Sequence, residues 1–92
     1  MIFDWDSQKD DSNLIKHGIS FDEASSAFFD EHQVIIIDNR KDYGETREIL
    51  IGKTKDLLLI IIIYVHRNKL IRIISARVAS VKETQLYYGY RS

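Results

Sequence analysis

The first residues alternate. Ile2-Phe3-Asp4-Trp5 has the period of two that predicts a short strand. Asp6 then stands as an N-cap, Ser7 to His17 reads as a helix, and Gly18 closes it. A second helix follows at once. Ser20 and Glu23 have capping-box spacing, Ile19 and Ala24 form a hydrophobic staple, and Phe21, Ala24, Ala27 and Phe28 make one apolar stripe that ends near Asp30.

Beyond Asp30 the pattern turns to strands. Val34 to Ile37 is β-branched throughout and predicts a buried strand. Asp38 to Gly44 is polar and turn-like. Glu48 to Gly52 is the next strand, closed by a turn at Lys53 to Asp56. Leu57 to Val65 has no polar alternation, which predicts a central strand covered on both faces. Arg67 to Lys69 makes a tight turn, Leu70 to Ser75 returns as a strand, and Ala79 to Tyr88 closes the chain as a helix. The order β-α-α-β-β-β-β-α, with short turns between strands, predicts an α+β fold: a small antiparallel sheet with two N-terminal helices and a C-terminal helix.

Ninety-two residues, 45% hydrophobic and 29% charged, make residues 1–92 a single globular domain. With no cysteine there is no disulfide, thiolate nucleophile or Cys-ligated metal. The first six residues lack the layout of a signal peptide, and Leu57 to Val65 is too short to cross a bilayer as a helix. A cytoplasmic protein is expected. No Gly-rich phosphate loop follows a strand, so nothing favours a nucleotide-binding α/β fold, and no cofactor is expected.

The net charge of −1 hides an asymmetry. Residues 1–45 hold eleven acids and four bases, a balance of −7, whereas residues 65–92 hold six bases and one acid, a balance of +5. A polyanion would be attracted to the last third only, unless the two halves pair with each other. Asp4, Asp6, Asp10 and Asp11 would suit a metal-dependent nuclease if they converged, but Asp6 is explained as a helix cap and acids in a first helical turn favour the dipole, which is the preferred reading. Lys16 and His17 end the first helix, where cations are favoured and where His17 could also move a proton near neutral pH. His32 and His66 share no metal-ligand spacing with His17. Glu45 and Arg47 fall on one strand face and read as an ion pair. The strongest local signal is Arg72-Ile-Ile-Ser-Ala-Arg77. An arginine in an apolar strand needs a carboxylate or an anionic ligand. Strict alternation puts Arg72 and Arg77 on opposite faces, so they converge only if the strand ends or bulges near Ser75. Tyr87, Tyr88 and Tyr90 follow, as a helix face on the sheet or as a platform for RNA bases.

Two multi-residue patterns point further. Phe3-x-Trp5-Asp6-x-x-Lys9-x-x-x-Asn13-x-x-Lys16-His17-Gly18-x-x-Phe21-x-Glu23-Ala24 resembles the opening signature of the BrnT toxins. Arg72-Ile-Ile-Ser-Ala-Arg77-x-Ala79-x-x-x-Glu83-x-x-x-Tyr87 is similar to their closing one, with Glu45-x-Arg47, Gly52 and Arg67 between them. The resemblance implies a RelE-like ribonuclease of a type II toxin–antitoxin system that arrests translation by cutting RNA. It also implies a BrnA-like DNA-binding antitoxin, with two toxins on an antitoxin dimer and operator DNA met only through the antitoxin.

The expected chemistry is metal-independent RNA cleavage. Arg72 and Arg77 would hold the scissile phosphate, with Arg47 or Arg67 assisting. His17 or Glu45 is the candidate base, and Lys16, His17 or Tyr87 the candidate acid. The alternative is a catalytically inactive, toxin-like module that serves antitoxin binding and operon control.

Overall fold

The computed structural model describes residues 1–40, 42 and 44–89. Strand β1 (Ile2–Asp4) leads into helix α1 (Ser7–His17). The Asp6 carboxylate accepts from the amides of Gln8 and Lys9 at 2.8 and 3.3 Å, satisfying two donors that open the helix. Gly18 ends it at φ 72°, its N–H donating to the Leu14 carbonyl. Ser20 caps α2 (Phe21–Ser25) through the Glu23 amide at 3.1 Å. The second helix is shorter than its apolar stripe suggests, because the chain tightens into a 3₁₀ turn over Ser26–Phe29. That turn presses against the sheet at Gly52, where a Cβ would stand 3.1 Å from the Ala27 carbonyl and 3.0 Å from a Leu50 methyl. A larger residue there would require the turn or the Leu50 side chain to give by a few tenths of an ångström.

The remaining strands are β2 (Val34–Asp38), β3 (Arg47–Lys53), β4 (Leu59–Arg67) and β5 (Leu70–Val78), followed by α3 (Val81–Gly89). The helix α3 has a reciprocal capping box: Ser80 Oγ accepts from the Glu83 amide, and Glu83 Oε1 accepts from the Ser80 amide. The sheet order is β1-β5-β4-β3-β2. β2 to β5 form the expected antiparallel meander. β1 corrects the expectation of an antiparallel sheet, since it pairs parallel to β5 with Asp4 beside Arg72. Short turns impose antiparallel pairing only on the strands they join. β1 is joined to no neighbour by a hairpin, so tertiary packing set its direction.

The central strand is β4, covered on both faces as expected, although it begins two residues later than the apolar run. Leu57 sits in the preceding turn at φ 68° and is exposed. Ile60, Ile62 and Tyr64 pack with Phe21, Ala24, Phe28 and Leu50 under α2 and the 3₁₀ turn. Ile61 packs with Val34, Ile51 and Tyr87 under α3. The helices therefore lie on both faces of the sheet. β2 departs from the expected buried strand: it is the outer strand, and Ile35 and Ile37 are about half exposed (48% and 56%) beyond the reach of α1 and α2. Asp38, expected in a polar turn, ends β2 as a buried residue.

β1 covers only Leu70 to Arg72, which leaves the rest of β5 without a sixth strand. Asn13 on α1 fills that gap. Its side-chain amide donates to the Ala76 carbonyl at 2.8 Å and accepts from the Ala76 N–H at 3.1 Å, and it also donates to the Ile19 carbonyl. One side chain thus supplies both ladder bonds of a neighbouring strand and fixes α1 on the sheet edge.

Candidate active site

The register carries one row of residues across all five strands. Asp38 pairs with Arg47, Arg47 with Val65, Val65 with Arg72, and Arg72 with Asp4. Partners in register share a face, so these five side chains lie on the face that α3 occupies at its other end. Arg47 and Arg72 flank the buried Val65 from two strands apart, at a Cα separation of roughly 10 Å. Arg67 and Glu45 join them on the same face, one alternation beyond Val65 and Arg47.

Acids stand at both ends of this row and bases lie between them. Arg72 Nη1 donates to Asp4 at 2.6 Å. Arg67 makes a two-pronged contact with Glu45 at 2.9 and 3.3 Å. Arg40 grips the buried Asp38 in the same way at 2.8 and 3.0 Å. The Arg67 hydrogen bond holds the Glu45 carboxyl below its usual range, and the Arg40 hydrogen bond does the same for Asp38 against the opposing effect of burial; the charge of Arg47 lowers both. Glu45 in turn raises the Arg67 guanidinium, with a further contribution from Asp4. The two pairs Asp4–Arg72 and Glu45–Arg67 join the acidic first half of the chain to its basic last third, so two of the six bases of that last third are answered by acids of the first half.

Arg77 shares the face but not the place. Tyr64 pairs with Ile73 and Ile63 with Ser75, so Ile74 is an extra residue that bulges the strand. The bulge restores Arg77 to the side of Arg72, opposite Ile61. Arg77 then turns to α3, donating to both Glu83 oxygens at 2.9 and 2.8 Å. Burial opposes ionisation of Glu83, yet the Arg77 and Ser80 hydrogen bonds hold its carboxyl below the ordinary value.

Tyr87 is buried at 1% exposure and donates to Asp30 Oδ2 at 2.6 Å. Asp30 also accepts from the amides of Lys53 and His32; burial raises its pKa, but the Tyr87 bond and these two amide bonds together outweigh burial and keep it below the usual carboxylate range. Lys53 ends β3 and Arg47 begins it, so Tyr87 sits at the opposite end of that strand from the arginine row, about 20 Å away. Of the tyrosines, Tyr88 is half exposed and Tyr90 lies outside the described residues.

Lys16 and His17 lie on the α1 side, in a groove of about 200 Å³ with Lys9, Ser12, Ile74 and Ser75. The structure therefore brings together Arg47, Arg67, Arg72 and Glu45, places Lys16 and His17 beside the bulge of the same β5, and puts Arg77 and Tyr87 under α3. The N-terminal carboxylates do not converge. Asp4 binds Arg72, Asp6 caps α1, and Asp10 accepts from the Phe21 amide at 2.8 Å. Among the described residues no group of three or more His, Asp or Glu side chains could hold a metal ion.

Two features escaped sequence reasoning. Asp4 is the partner of Arg72 across a parallel pairing that no local pattern encodes. On the opposite face, Glu48 accepts from the Tyr64 hydroxyl at 2.8 Å and lies 3.2 Å from His66 Nε2. Burial, then this hydrogen bond, pushes the Tyr64 phenol up. The signal available for that cluster was strand alternation alone, which puts Tyr64 and His66 on one side.

Comparison with known proteins bears on the chain as a whole. A family model described as the ribonuclease toxin BrnT of type II toxin–antitoxin systems matches residues 5–83. Among solved structures, the crystal structure of the Brucella abortus ribonuclease toxin BrnT matches with a TM-score of 0.58 and 25% sequence identity, covering 87% of this chain and 99% of that one. Curated proteins give no match.

Proposed function

This chain belongs to the BrnT family of ribonuclease toxins of type II toxin–antitoxin systems, and from that premise we propose that it cleaves RNA without a metal, at the arginine row on the α3 face of its sheet. The observation that carries the reading is the row itself: Arg47 and Arg72, in register on either side of Val65 with Arg67 beside them.

RNA brings its own nucleophile, the 2′-hydroxyl. The protein has to align it, accept its proton, neutralise the pentacoordinate phosphorane and protonate the leaving 5′-oxygen. Guanidinium groups suit the third task because they stay charged and grip phosphate oxygens with two donors. Asp4 and Glu45 hold Arg72 and Arg67 in place until a phosphate competes for them. Glu45 is kept ionised by Arg67 and is a poor base in consequence. Proton transfer falls to His17, whose imidazole lines the groove next to Ser75 on β5. The cleavage of cellular RNA arrests translation. The neutralising partner is a BrnA-like DNA-binding antitoxin, two toxins assembling on its dimer, with operator DNA reached only through it.

The test is cleavage by the purified chain in EDTA. A cyclic phosphate or 3′-phosphate end is expected, and Arg47→Ala and Arg72→Ala should each lower turnover about 10²–10³-fold. A requirement for added Mg²⁺ would refute the chemistry. The saturated ion pairs of the row also suit a second reading, an inactive module that only binds antitoxin. Antitoxin binding without any RNA cleavage would establish it.

A further inference from the structure

The groove between α1 and the bulged edge of β5 differs electrostatically from the arginine row. Arg40, Arg67, Arg72 and Arg77 each engage an internal carboxylate. Lys9, Lys16 and His17 enter no ion pair among the described residues. The two lysines are exposed, and both line the groove.

Their placement follows from α1. Residues 9, 13 and 16 fall on one helix face. Asn13 in the middle is pinned to both backbone groups of Ala76, so Lys9 and Lys16 are held on either side of that pin. Seven residues of helix separate them by about 10 Å along the edge of β5. The acids of the same helix are engaged or turned elsewhere: Asp6 caps the helix and Asp10 accepts from the Phe21 amide, while Asp11 is absent from the groove lining.

The opposite wall is the bulge. Ile74 and Ser75 line the groove. Ser75 also pairs with Ile63, which puts it on the α3 face between the positions of Arg72 and Arg77. Ser75 thus joins the groove to the arginine face. Without the extra residue Ile74, this stretch of β5 would present the alternate side chains.

The geometry points to this groove as a second anionic subsite, in which Lys9 and Lys16 bind backbone phosphates of single-stranded RNA flanking the phosphate on the arginine row. This inference rests on the ribonuclease reading for its ligand. It adds a direction to that reading: the strand leaves the row past Ser75 and runs along α1.

The experiment is equilibrium binding of a fully 2′-O-methylated RNA oligonucleotide, which has no free 2′-hydroxyl and cannot be cut. Affinity is followed by fluorescence anisotropy over a series of salt concentrations. Each lost phosphate contact lowers the slope of log K against log salt by about 0.7 for a single strand. The double variant K9Q/K16Q should therefore lose about 1.4 from the slope, K9R/K16R should retain it, and K82Q, which removes a charge on α3, should leave it at the native value. A native slope in K9Q/K16Q, with its melting temperature unchanged, would overturn the subsite. RNA cleavage by the native chain, measured in parallel, keeps the two proposals apart. Cleavage with an unchanged slope refutes the groove alone. A lost slope without cleavage refutes the ribonuclease alone. A native chain that neither binds nor cuts RNA refutes both.

Discussion

Arg72 and Arg77 lie on the same face of the sheet, because one extra residue, Ile74, resets the alternation of β5 between them. They do not act on the same partner. Arg72 holds Asp4 on the edge strand, and Arg77 holds Glu83 on α3. The two arginines of the closing signature thus divide into one at the open end of the face and one that docks a helix.

Arg72 and Asp4 can be tested against each other. If the ion pair were only scaffold, Arg72→Ala and Asp4→Asn would lower the melting temperature alike and leave activity per folded molecule intact. The proposed role predicts a different outcome. Arg72→Ala should lose cleavage, whereas Asp4→Asn should keep it, since it removes the carboxylate that competes with phosphate. Melting curves and RNA cleavage on the same two variants decide between these.

Arg77 is expected to stabilise. Arg77→Ala should cost about 1 kcal/mol and Glu83→Ala more, because it also removes the capping-box bond from the Ser80 amide, with the double variant little worse than Glu83→Ala alone. The measurement is denaturant unfolding of the three variants. Additive losses would dissociate Arg77 from the anchoring of α3.

Asn13→Ala should be costly. It leaves the N–H and C=O of Ala76 and the carbonyl of Ile19 without their partner, at about 1–3 kcal/mol for each stranded group. Losses of several kcal/mol are a large part of the stability of a domain this size. Asn13→Asp should not rescue, since a carboxylate cannot donate to two carbonyls. Unfolding free energies near the native value would contradict the strand-mimicking role.

Stability should fall in acid. Asp30, Asp38 and Glu83 all have carboxyls held below their ordinary values of 3.8, 3.8 and 4.5. A lowered pKa in the folded state contributes stability that is complete above the ordinary value and is lost as pH falls through the lowered one. The melting temperature should therefore be level above about pH 5 and decline below pH 4. Asp30→Asn should remove part of that decline while lowering stability at neutral pH. A melting temperature independent of pH between 5 and 2 would refute the assignment.

Much of the fold was present in local pattern. Asp6, Gly18 and Ser20 marked helix ends because caps answer to neighbouring backbone groups within a few residues. The unbroken apolar run ending at Val65 announced a strand with a core on each side. The same locality explains the errors. The β-branched run at Val34 looked buried, since propensity says how a residue fits a pleat and not whether the strand is central or outermost. Arg72 and Arg77 were recognisable as needing anions, but their relation turned on one bulge.

The chain by itself determined its elements, the covered strand at its centre, the need of its arginines for anionic partners and, through two ordered signatures, its family. Only the tertiary structure decided that β1 runs parallel to β5, that Asp4 answers Arg72 across the length of the chain, that Asn13 stands in for a missing strand, and that Arg47, Arg67 and Arg72 share one end of one face while Arg77 and Tyr87 serve α3. Capping and periodicity depend on contacts a few residues apart, which a sequence displays directly. Sheet order and register are settled by the joint packing of distant segments, and a one-residue shift in register exchanges the two faces.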